Sequence, residues 1–93
     1  MEPQVTENVA QRRFELPIGP GAIAAAYYRE EDGRVSLIHT EVPSEYSGRG
    51  FASKLATGTF DLIRRSGRRA DLKCPFMGAF YVGHPEYSDI VDG

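Results

Sequence analysis

The chain has 93 residues, of which 41% are hydrophobic and 26% charged, and its formal net charge is −2. That is enough for one domain over 1–93 and not for two, without the excess positive charge of a general nucleic-acid binder. No apolar run approaches the ~20 residues that cross a bilayer, so no membrane span is expected.

Cys74 is the single cysteine. It cannot form an intramolecular disulfide, and a reducing compartment follows. The opening MEPQVTENVAQRR has no apolar segment of the secretory kind, so the expected location is cytoplasmic. A chain this short buries only about two-thirds of its unfolded surface. A bound ligand or a weakly held second copy would add stability, and a monomer or weak homodimer is expected.

Residues Met1 to Ala10 read equally as the opening of a strand at Val5 and Val9 or as a frayed terminus. Arg13 to Leu16 alternates polar and apolar residues, which predicts a half-buried strand. Pro17 to Gly21 predicts a turn. Ala22 to Arg29 predicts a second strand, on its tyrosines and bracketing turns, and Glu30 to Gly33 a charged hairpin loop. Val35 to Val42 predicts a central strand stopped by Pro43. Ala52, Leu55, Ala56, Thr59, Phe60 and Ile63 recur at helical spacing and predict a helix with one apolar stripe, ending at Gly67. Ala70 to Cys74 predicts a short strand, and Pro75 to about Val82 a second helix with proline in its first turn. The expected fold class is α+β, in the order β-β-β-α-β-α, with a mixed sheet of about four strands and two helices. Its β-α-β unit should be parallel and right-handed, so that ligands sit at the strand ends Thr40 to Val42 and Lys73-Cys74.

Between the central strand and the first helix lies Ser47-Gly48-Arg49-Gly50-Phe51-Ala52-Ser53-Lys54. The first four N–H groups of a helix have no partner inside it and carry a partial positive charge. Small residues at Gly48, Gly50 and Ala52 let an anion approach them. Arg49 and Ser53 add donors and Lys54 adds charge, which reads as a pyrophosphate site. A strand-to-helix turn with nothing bound has the same spacing. The loop is neither a Walker loop nor a dinucleotide fingerprint, because it lacks the Gly-Lys-Ser/Thr of the one and the third glycine of the other. Tyr46 and Phe51 flank it, as packing residues or against the apolar arm of a ligand.

This loop resembles the [QR]-x-x-G-x-[GA] element of the GNAT superfamily of N-acetyltransferases, matching at Gly50 and Ala52 and departing at Ser47. The resemblance is closer to the small GNAT-like N-acetyltransferase-domain proteins. His39-Thr40-Glu41-Val42-Pro43, Gly48-Arg49-Gly50, Cys74-Pro75-Phe76 and His84-Pro85-Glu86-Tyr87 stand in that family's order. It implies a shortened GNAT fold and acetyl-CoA as cofactor, held by Val42, Gly48, Arg49, Gly50, Phe51, Ala52, Ser53 and Lys54. A small-molecule or protein amine would be the acceptor, and Cys74 the acyl carrier.

Cys74 precedes a helix, where a thiol can ionise more readily than in solution. It reads as a nucleophile or as a small buried hydrophobe. His39 and Glu41 are two apart on a strand and share a face. They read as a general base for an amine or thiol, or as a satisfied histidine beside a solvated carboxylate. Arg64, Arg65, Arg68 and Arg69 read as a solvated face matched to the helix dipole. Tyr87 closes one end of the site or anchors the tail. No metal-ligand spacing joins His39, His84 and Cys74. The function expected is an acetyl-CoA-dependent N-acetyltransferase, against a CoA-binding module without chemistry and a structural domain.

Overall fold

The structure is a computed structural model that describes residues 4–92; residues 1–3, within the terminus read above as strand or frayed, lie outside it. The strands are β1 (Thr6–Asn8), β2 (Arg13–Gly19), β3 (Ala22–Glu31), β4 (Arg34–Glu41), β5 (Arg69–Leu72) and β6 (Val91–Asp92), and the helices are α1 (Phe51–Arg65) and α2 (Pro75–Val82). One sheet holds them in the order β1-β2-β3-β4-β5-β6, antiparallel from β1 to β4 and parallel from β4 to β6. The α+β class is as expected, but the strands number six and not about four. The additional strands lie at the two edges and have three and two residues, too short for any alternation to show. Among the described residues, no helix is long and apolar enough to cross a membrane.

Two tight hairpins set the antiparallel half. Pro20-Gly21 joins β2 to β3, with Gly21 at φ 69°, and Asp32-Gly33 joins β3 to β4, with φ 53° and 75°. Positive φ in such two-residue loops matches the twist of the strands they join. The strand β2 runs three residues, Pro17 to Gly19, into the expected Pro17–Gly21 turn. Pairing skips between Pro17 and Gly19, and an irregularity of that kind is where a strand tolerates proline. At the other end, β5 stops at Leu72 and Cys74 is the cap of α2, in extended conformation.

Both helices pack on one face. Phe14, Leu16, Ala24, Ala26, Tyr28, Val35 and Leu37 of the sheet form a single core with Leu55, Ala56, Phe60 and Ile63 of α1 and Met77 and Phe80 of α2. The alanines let α1 approach β3 closely, and the predicted stripe of α1 is the buried one. Tyr87 packs 5.0 Å from Phe60 and donates to Asp61, so it anchors the tail. Burial and the Asp61 carboxylate push its phenol up to about 12. The opposite face, bearing Arg13, Glu15, Tyr27, His39 and Glu41 by alternation, has no helix on it among the described residues.

The arginine cluster is less solvated than expected. Arg64 binds Asp89 at 2.6 Å and Arg69 binds Asp92 at 2.6 Å. Arg68 forks onto Glu7 at 2.7 and 3.0 Å, and the Tyr28 hydroxyl donates to the same carboxylate. This fixes β1 to the body of the domain. The Arg68 hydrogen bonds hold the Glu7 carboxyl below its usual 4.5, against the opposing effect of burial. A depressed carboxylate stabilises the fold fully above its unfolded value and loses that contribution as pH falls through the folded one. Arg68→Ala should therefore lower stability at neutral pH by about 1–2 kcal/mol, since both ends stay partly exposed. In thermal melts the gap between wild type and Glu7→Gln should close as pH drops below 4.5.

Candidate active site

The parallel strands part at Leu37. Residues Arg34 to Leu37 pair with Arg69 to Leu72, and the Leu37 carbonyl then accepts both the Lys73 N–H at 3.0 Å and the Cys74 N–H at 2.8 Å. Beyond this point β4 continues to Glu41 while the other chain turns into α2. Among the described residues, the stretch Ile38 to Val42 thus has no strand on its β5 side.

A second irregularity lies at the same place. Tyr27 pairs with His39 but Tyr28 with Leu37, so Ile38 is an extra residue in β4. A bulge of this kind re-aims the side chains that follow it. Without it, Leu37, His39 and Glu41 would share a face. With it, Thr40 lies opposite Ala26 on the helix-covered face, while His39 and Glu41 lie opposite Tyr27 and Ala25 on the open one. The structure brings His39 and Glu41 together, Nε2 to Oε2 at 3.3 Å, with side chains 59% and 63% exposed. The His39 ring stacks 5.9 Å from Tyr27. It does not bring the pair to Cys74. That thiol is buried on the helix side, with its Sγ 3.3 Å from Thr40 Oγ1. Thr40 is a residue that sequence reasoning left out; two-residue alternation points it away from Leu37, and only the bulge turns it round.

The glycine loop follows a short 3-10 turn, Ser44–Tyr46. Ser47 closes that turn, with both its N–H and its hydroxyl donating to the Ser44 carbonyl. Gly48 and Gly50 have φ 77° and 80°, and a Cβ on either would meet nothing. Glycine is needed here for the backbone conformation, and the space in front is open. The first intrahelical bond runs from the Lys54 N–H to the Gly50 carbonyl. Among the described residues, no main-chain carbonyl takes up the N–H groups of Gly48 to Ser53.

All of the residues from Gly48 to Ser53 but Arg49 line a cavity of about 250 Å³, together with Val42, Tyr46 and Ser47. Six of the eight expected ligand-holding residues are among these. The other two, Arg49 and Lys54, stand beside it. The Arg49 guanidinium lies 5.7 Å from the Tyr46 ring and the Lys54 ammonium 5.9 Å from Phe51. Neither has a carboxylate within 4.0 Å among the described residues. Two uncompensated cations beside a set of free N–H groups favour an anion. A larger groove, about 620 Å³, shares Ser53 and follows α1 past Lys54, Thr57 and Asp61 to Phe80 and His84.

Tyr46 is seated by Gly19, where a Cβ would overlap its hydroxyl, and meets Phe51 edge-on at 6.0 Å. Gly19→Ala should push the ring out of the cavity wall. Because the displaced atoms are the tip of a side chain, stability should change by less than about 1 kcal/mol. The amide resonances of Phe51 and Ala52 should shift.

The sequence profile of the GCN5-related N-acetyl-transferase family matches residues 13–90. The chain belongs to the GCN5-related N-acetyltransferase family. It is similar to Protein NATD1 of Bos taurus, 39% identical over 88% of this chain and 74% of that protein. Protein NATD1 of Homo sapiens is 37% identical over the same shares, and that of Danio rerio 31% over 90% and 80%. A GCN5-like protein of Staphylococcus aureus, whose solution structure was determined by NMR, superposes with a TM-score of 0.71 at 21% identity, covering 97% of this chain and 88% of that one. That likeness concerns the fold. The match to the GCN5-related family spans β2 to Ile90, and so includes the glycine loop, the parted strands and Cys74.

Proposed function

We propose that the chain is an N-acetyltransferase that takes the acetyl group of acetyl-CoA onto Cys74 and passes it to an amine. The observation that carries this reading is the run of main-chain N–H groups from Gly48 to Ser53 that no carbonyl takes up among the described residues, beside a cavity and with the cations of Arg49 and Lys54 at hand. This is a donor set for a diphosphate. The residues present fit acetyl-CoA in a second respect. The unpartnered edge of β4 from Ile38 to Val42 offers main-chain donors and acceptors to the amide groups of its extended arm. When bound, acetyl-CoA supplies an activated thioester.

The Cys74 sulfur then forms a bond to the acetyl carbon as the bond from that carbon to the CoA sulfur breaks, and the Cys74 proton leaves on the CoA thiol. An incoming amine displaces the Cys74 sulfur and becomes an amide, and Cys74 recovers a proton. Glu41 and His39 stand on the other face of β4, away from the sulfur, so the proton that the amine loses goes to the departing Cys74 sulfur and not to them. The acceptor is a small-molecule or protein amine.

One observation favours a CoA-binding module without chemistry. The Ser47 hydroxyl is spent on the Ser44 carbonyl, so the position that carries Gln or Arg in the related pattern offers no side-chain donor. Intact-mass measurement after incubation with acetyl-CoA separates the two. The wild type should gain one acetyl group, and Cys74→Ala should gain none while binding acetyl-CoA with unchanged affinity. Binding without an adduct on the wild type would remove the cysteine route, and no binding would remove the whole reading.

A further inference from the structure

We infer that Thr40 is the residue that positions and activates the Cys74 thiol. The inference rests on the acetyl-cysteine route above. Cys74 is buried, 5% exposed as a residue. Its main-chain N–H is held by Leu37 and its carbonyl by the Gly78 N–H, and its side chain makes no capping bond to α2. Among the described residues, the hydrogen bond from sulfur to the Thr40 hydroxyl, at 3.3 Å, is the one polar contact of the thiol, and it is also the one that hydroxyl makes.

The bulge at Ile38 is what creates this pairing. It turns Thr40 toward the helices and removes Glu41 and His39 to the other side of the sheet, where they bond each other. The group beside the sulfur is therefore a neutral hydroxyl and not a base. A hydroxyl rotates to suit its partner. It accepts from the S–H while the thiol is protonated, and donates to the sulfur once the proton has gone. Hydrogen bonds to a charged partner are about twice as strong as neutral ones. The contact is thus stronger when sulfur is the nucleophile than when it is at rest, and the difference lowers the barrier to acyl transfer. The β-branched side chain of threonine restricts its own rotation, which keeps the hydroxyl on the sulfur. Opposite Thr40 in the sheet stands Ala26, whose side chain leaves the hydroxyl room.

The test compares Thr40→Val, which keeps the shape and removes the hydroxyl, with Thr40→Ser, which keeps the hydroxyl. The rate of acetyl loading on Cys74 is followed by intact mass, alongside acetyl-CoA affinity and Tm. Thr40→Val should load about tenfold more slowly than the wild type. Thr40→Ser should load at nearly the wild-type rate, and both variants should keep wild-type affinity. Should the valine variant fail to fold, Thr40→Ala carries the same expectation. Wild-type loading by Thr40→Val would overturn the inference and leave Cys74 in its role. So would a serine variant as slow as the valine one. A wild type that binds acetyl-CoA and never gains an acetyl group would remove the cysteine route itself, and Thr40's role with it.

Discussion

Gly50→Val should reduce acetyl-CoA affinity by about a hundredfold, while Tm falls by only several degrees. The two effects have separate origins. Gly50 has φ 80° at the cap of α1 and nothing stands where its Cβ would go, so the substitution meets no clash. Its penalty is left-handed backbone strain, roughly 1–2 kcal/mol and somewhat more for a β-branched residue. The chain relieves it by turning the loop toward negative φ, which re-aims the N–H groups of Gly50, Phe51 and Ala52. Losing two hydrogen bonds to a charged diphosphate removes about 3 kcal/mol of binding, or two powers of ten. Titration calorimetry and a thermal melt on one sample give both numbers. Equal losses in stability and affinity would mean that the loop only holds the fold together.

Phe60→Ala should remove about 3–5 kcal/mol of stability, out of roughly 5–15 kcal/mol for a domain of this kind. Phe60 is fully buried, 5.5 Å from Phe80 and 5.0 Å from Tyr87. It packs α1 against both α2 and the 3-10 turn Pro85–Tyr87. The void it leaves is shared by three elements that cannot all close on it. Because α2 begins at Cys74, loosening it also moves the thiol, and acetyl loading should fall along with stability. Chemical denaturation with unchanged slope and a much lower midpoint would report this. A loss below about 1 kcal/mol would mean that α2 is held to the sheet by something other than this aromatic cluster.

Elements that announce themselves by repetition were legible. The stripe from Ala52 to Ile63 marks α1 because each buried position repeats at helical spacing, and Pro75 marks α2 because proline suits a first helical turn. The loop was legible as well, since Gly48 and Gly50 both adopt the left-handed conformation that glycine permits. The edge strands were legible only in part: β1 lies between Val5 and Val9, where strand and frayed terminus read equally, and β6 was not foreseen. Thr6–Asn8 carries no apolar alternation, and what fixes it is Glu7 against Arg68, a pair 61 positions apart. The bulge at Ile38 was not legible either. Every residue of VSLIHTE fits a strand on either face, so a register slip leaves no trace in composition. Yet that slip decides which side chains stand near the sulfur. The alternation correctly put His39 and Glu41 on one face but could not show that this is the face turned away from Cys74, or that Thr40 takes their place beside the sulfur.

The most direct test of the account is a titration of the 15N-labelled protein with acetyl-CoA, followed by amide resonances. The largest shifts should fall on Gly48 to Ser53, with a second group on Ile38 to Val42, which among the described residues has no strand on its β5 side. Shifts absent from both stretches at saturating acetyl-CoA, or confined to the larger groove along α1, would contradict it.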